Sequence, residues 1–114
     1  MKAEAVRKFA LSLPDATEEP HFHFTSFRIG GKIFATMPPG GALLHVFVPE
    51  EERQVAASAR PDLCEVLHWG KRVVGLKIEL GKAEENFVID LLQVAYAVKA
   101  GKGGGAGKAR KGGS

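Results

Sequence analysis

Two glycine turns in the chain are bracketed by groups that could hold a phosphate. Arg28 and Lys32 flank Gly30-Gly31, and His68, Trp69, Lys71 and Arg72 surround Gly70. Cations at the tips of two projecting hairpins would bind a phosphodiester backbone without regard to base sequence, and an exposed indole could stack on an unpaired base. A structural reading competes with this one: hairpin tips are generally polar, and Trp69 would then cover the edge of the core.

The other reactive groups point to no defined chemistry. His21 and His23 are two apart on a segment read as extended, and His45 lies on a later strand. No CxxC, HExxH or HxxxH spacing joins them, so the expectation is solvent-facing and strand histidines with no metal site. Cys64 and His68 are four apart, but Pro61 and Val66-Leu67 put them in a loop and a strand, where that spacing brings nothing together. Cys64 is read as a small buried thiol. Gly30-Gly31-Lys32 and Gly40-Gly41 lack the spacing and strand-to-helix setting of a phosphate loop. No nucleophile, base and orienting group can be assembled, so a catalytic role and a cofactor are not expected.

Charge divides the chain. Of its 114 residues, 16 are Lys or Arg and 13 are Asp or Glu, a formal net charge of +3. Lys99, Lys102, Lys108, Arg110 and Lys111 all follow Val98, with no acid and with seven of the fourteen glycines. What precedes them holds eleven basic and thirteen acidic residues, a net of −2. Residues 99–114 have no apolar side chain larger than Ala to offset their ordering entropy, so they are expected to form a flexible basic tail behind one domain, residues 1–98. The lack of a long apolar run, of a secretory pattern and of a second cysteine points to a soluble cytoplasmic protein without a membrane partner, and a monomer is expected.

The elements that must position these groups follow from periodicity. Val6, Phe9, Ala10 and Leu13 recur at helical spacing over residues 2–13, and Pro14 ends the helix. From Glu19 to Val48 the period is two. Phe22 and Phe24 share one parity while Phe27 and Ile29 share the other, which predicts a break or bulge near Thr25-Ser26. Gly30-Gly31 and Pro38-Pro39-Gly40-Gly41 turn a three-stranded meander, with Ile33, Ala35 and Met37 on one face of its middle strand. Pro49 followed by Glu50, Glu51 and Glu52 starts a helix reaching about Ala59. Val66–Trp69 and Arg72–Leu80 form a second hairpin, with Val74, Leu76, Ile78 and Leu80 inward. Gly81 caps the last helix, which carries Phe87, Leu91, Val94, Ala95 and Val98. The expected fold is α+β: an antiparallel sheet, meander plus hairpin, with the N- and C-terminal helices on one face in a two-layer sandwich.

At Pro20, at Ser26-Phe27-Arg28-Ile29-Gly30-Gly31-Lys32-Ile33-Phe34-Ala35 and at Leu67-His68-Trp69-Gly70-Lys71, the chain resembles the MmcQ/YjbR family of small bacterial proteins. The resemblance runs over roughly residues 2–98 and includes Leu13-Pro14, Glu18-Glu19-Pro20 and Tyr96. It implies a compact CyaY/frataxin-like fold and DNA binding through two hairpin wings. Carried onto this sequence, the wings are the hairpins around Gly30-Gly31 and Gly70, with Arg28, Lys32, Lys71 and Arg72 as phosphate contacts. The family's second aromatic after the Lys71 position is replaced by Val73-Val74, and Glu4 alone makes no acidic ridge for iron. Two functions remain open. One is a non-enzymatic DNA-binding protein using the wings, Trp69 and the tail cations Lys102, Lys108, Arg110 and Lys111. The other is a small-molecule- or protein-binding module using the sheet face around His23, His45 and Trp69, with no nucleic-acid role.

Overall fold

The computed structural model describes residues 1–101. In chain order it forms α1 (Ala3–Ser12), β1 (Thr17–His21), β2 (Phe24–Ile29), β3 (Lys32–Met37), β4 (Leu43–Val46), α2 (Glu50–Ala59), β5 (Cys64–Trp69), β6 (Arg72–Glu79), a 3₁₀ turn at Leu80–Lys82, and α3 (Glu85–Lys99). The six strands make one antiparallel sheet in the order β1-β2-β3-β4-β6-β5. The fold is α+β, with α1 and α3 packed together and α3 lying across β3 and its neighbours.

One continuous core lies between sheet and helices. Phe27, Phe34, Val46, Leu44, Leu76 and Ile78 face it from the strands, and Val6, Ala10, Val88, Leu92 and Ala95 from α1 and α3. Each large side chain removed from water in this way contributes on the order of 1.5–3 kcal/mol. The ring of Tyr96 on α3 stands edge-on to Phe34 at 5.6 Å, and its hydroxyl donates to the Pro14 carbonyl at 2.6 Å. That bond ties the last helix to the turn that ends the first.

Alternation alone misplaces several residues. The extended region from Glu19 is two strands, separated by a tight turn at Phe22-His23. His21 therefore ends β1 and His23 sits in the turn, so the pair does not share a strand face. The break falls at Phe22-His23 and the bulge at Phe27/Arg28, on either side of the expected Thr25-Ser26. Phe27 pairs with Ala35 and Arg28 with Ile33, so Phe34 is the extra residue of the bulge. A bulge lets two successive side chains take the same side. Phe34 and Ala35 are accordingly both fully buried, and Ile33 lies outside the core cluster.

The second hairpin repeats the device. Leu67 pairs with Gly75 and His68 with Val73, leaving Val74 as the extra residue outside the core cluster, whereas Leu76, Ile78 and Leu80 face inward as expected. The start of the last helix also moves: α3 begins at Glu85 with Glu84 as its cap residue, and Gly81 belongs to the 3₁₀ turn.

Strand directions decide where the hairpins point. β2 runs toward Gly30-Gly31, β3 runs away, β4 returns, and β6 pairs antiparallel to β4 and so starts at the same end where β5 finishes. The Gly30-Gly31 and Gly70 tips thus project from one end of the sheet, and the Phe22-His23 turn lies at the other. Three strand spacings separate the two tips, roughly 14 Å at about 4.8 Å per strand.

Candidate functional site

The two tips carry most of the cations singled out in the sequence. Gly30 and Gly31 both have positive φ, 59° and 80°, as a two-residue turn matched to the strand twist requires. Gly70 has φ 62° and Lys71 is not among the positive-φ residues, so the second turn needs glycine at its first central position only. Lys32, Lys71 and Arg72 are exposed, and none of them forms an ion pair among the described residues. Trp69 is the cross-strand partner of Arg72, is 54% exposed, and rests edge-on against Phe47 at 5.2 Å. Lys99, at the end of α3, places its Nζ 5.9 Å from the centroid of that same Phe47 ring. The last helix therefore ends at the wing end of the sheet.

Arg28 is set apart from this group. Its side chain is 21% exposed; Nε donates to Ser26 Oγ at 3.0 Å and lies 3.8 Å from a Glu19 carboxylate oxygen, and Nη2 donates to the Pro20 carbonyl at 3.4 Å. These contacts turn it toward β1 and engage Nε and Nη2 within the fold. Lys102, Lys108, Arg110 and Lys111 lie outside the described residues. Acids also reach the wing end: α2 leaves β4 there and begins with Glu50, Glu51 and Glu52. The potential around the tips is consequently local, and salt at 0.1 M confines it to about 10 Å.

The face of the sheet away from the helices carries a polar row running Glu19, Ser26, Thr36, His45, Lys77, Glu65 across the strands, because cross-strand partners share a face. Thr36 Oγ1 lies 3.4 Å from His45 Nδ1, and Lys77 pairs with Glu65 at 3.7 Å. Beside this row is a groove of about 550 Å³, lined by His21, Phe22 and Phe24 on one side, Leu67, His68 and Trp69 on the other, and Thr36 and His45 between. Twist brings these diagonal corners of the sheet to one concave side. Phe24 stands edge-on to His45 at 5.8 Å.

Phe22 is the functional candidate that periodicity hid. It is 90% exposed, its ring meets His21 edge-on at 4.8 Å, and its φ is +58°. A left-handed conformation in a bulky residue costs on the order of 1–3 kcal/mol and is uncommon outside functional segments. No glycine or asparagine announces this turn, so the sequence carries no local signal for it. Among the described residues, no three His, Cys, Asp or Glu side chains come together as metal ligands. Burial pushes the Cys64 thiol up, with Asp62 adding to the effect, so it stays protonated near neutrality.

Burial, followed by the charge of Lys77, holds His45 below its ordinary range. A histidine whose folded pKa lies under its unfolded value of about 6.5 contributes stability above that pH and loses it as pH falls through the folded value. Urea unfolding followed by circular dichroism is expected to show a drop in stability between pH 7 and pH 5. His45→Gln, which keeps a polar partner for Thr36, is expected to flatten that drop, and an unchanged pH profile in this variant would show that His45 is not its source.

The family model for YjbR matches residues 11–98, from the end of α1 to the end of α3 and through both hairpins. The chain belongs to the YjbR family. Its fold is also that of the Deinococcus radiodurans protein DR2400, a crystal structure carrying the DUF419 domain, with a TM-score of 0.76 over 98% of this chain and 88% of that one. Identity there is 17%, so the likeness concerns the fold. No curated protein matches the sequence. Among the described residues of this YjbR chain, no helix is long and apolar enough to cross a membrane.

Proposed function

We propose that this YjbR-family protein binds nucleic acid, without catalysing a reaction on it, through phosphate contacts at the wing end of its sheet. The observation that carries the reading is the set Lys32, Lys71 and Arg72: three exposed cations on two tips at one end, with no ion-pair partner among the described residues. Exposed Trp69, and Lys99 at the end of α3 beside Phe47 at the same end, support it. The acids of α2 and the slightly acidic body keep the affinity modest and strongly salt-dependent.

Fluorescence anisotropy with a labelled duplex across a salt series tests the reading, using the full chain and a chain ended at Gly101. Three wing contacts give a log–log slope of about −2.7, and Lys102, Lys108, Arg110 and Lys111 steepen it by at most about 3.6 in the full chain. Binding by the full chain alone would transfer the function to the C-terminal cations and remove the wings from it. Absence of binding by both at low salt would end the proposal.

A further inference from the structure

We propose that the open-face groove is a stacking site for unpaired bases, so that the nucleic acid this protein prefers is single-stranded. The inference rests on the phosphate-binding reading above and names its substrate class. Phe22, Phe24 and Trp69 line the groove, and two of them present uncovered surface: Phe22, 90% exposed, and Trp69, 54% exposed. Each has an edge-on neighbour, His21 against Phe22 at 4.8 Å and Phe47 against Trp69 at 5.2 Å. A left-handed backbone at Phe22 maintains that exposure against a conformational cost.

Charge identifies the occupant. Arg72 stands opposite Trp69 across the hairpin, with their β-carbons about 5 Å apart on one face, and Lys71 is in the adjoining turn. Neither the Arg72 guanidinium nor the Lys71 ammonium has an ion-pair partner among the described residues, and a flat ring stacked near them is best matched by one attached to an anionic backbone. In a duplex both faces of every base are already stacked, so these rings would meet only base edges; an unpaired base offers its whole face. The volume of about 550 Å³ is within the range of pockets that take small planar ligands. Thr36 and His45 on the floor supply hydroxyl and imidazole groups to base edges.

The test is anisotropy of the full chain with an oligothymidylate and with a duplex of equal length at one salt concentration, together with the emission of Trp69, the chain's one tryptophan. The oligothymidylate is expected to bind about tenfold more tightly than the duplex and to quench the indole. Phe22→Ala and Trp69→Ala are each expected to weaken oligothymidylate binding about tenfold, and Phe22→Ala, remote from the wing tips, to leave duplex binding unchanged. Quenching in the unaltered protein needs no variant and stands if one of them folds poorly. Equal affinities for the two probes, without quenching, would overturn the stacking site and leave phosphate binding intact. If neither probe binds, phosphate binding fails and the stacking site falls with it.

Discussion

Gly75→Ala is expected to destabilise the protein by about 3 kcal/mol or to prevent its accumulation as folded protein. A β-carbon at this position would stand 2.0 Å from the Val46 carbonyl oxygen, 2.9 Å from the Val46 carbonyl carbon and 3.1 Å from Phe47 Cα. All three are backbone atoms, so no rotamer change makes room. The strand β4 exits directly over Gly75, and moving it would disturb the Phe47 N–H to Phe34 carbonyl bond of 3.1 Å and the pairing of Val46 with Ala35 and Leu76. Gly81→Ala is the matched control. Its β-carbon would meet nothing within 4 Å, and its effect is expected to stay within about 0.5 kcal/mol. Urea denaturation of the two variants beside the parent separates the outcomes, and equal midpoints for both would contradict the close crossing.

Replacing Lys32, Lys71 and Arg72 by alanine together is expected to weaken duplex binding by the full chain about 500-fold at 0.1 M salt. Each phosphate contact adds about 0.9 to the magnitude of the log–log slope, and extrapolated from 1 M salt that is about 0.9 decade of affinity per contact at 0.1 M. The slope itself should become shallower by about 2.7. Because the three side chains are exposed and have no ion-pair partner among the described residues, unfolding midpoints should hardly change. Arg28→Ala is expected to behave differently. It removes a side chain bound to Ser26, Pro20 and Glu19, so it should loosen the β1 edge more than it weakens nucleic-acid binding. A triple variant with unaltered slope would locate all phosphate contacts outside the wings.

Much of this architecture was legible because period and punctuation agree. The apolar spacing of Val6, Phe9 and Ala10, the Gly30-Gly31 turn, the Pro49 helix start and the alternation of Leu76 and Ile78 each signal their element locally. The failures share a physical origin. A bulge breaks alternation without altering composition, so Phe34 reads as outward while the chain turns it into the core. Phe22 reads as part of a strand because a left-handed turn in a phenylalanine has no residue-type signature. Gly75 carried a usable signal, since a lone glycine in a strand often marks a bulge or a close backbone approach, and both are found there. The candidate site was legible as residue types at two tips. Its joining to Phe22 and Phe24 across the sheet was not, because it depends on strand order and twist.

The wing end is the centre of this account, and amide and indole NMR shifts of the full chain, titrated with a duplex oligonucleotide at low salt, test it most directly. The prediction is a contiguous set of perturbed signals at Gly30–Lys32, His68–Arg72 and the Trp69 indole, with α1 unaffected. Perturbation confined to residues after Val98, or spread evenly over the surface, would contradict it.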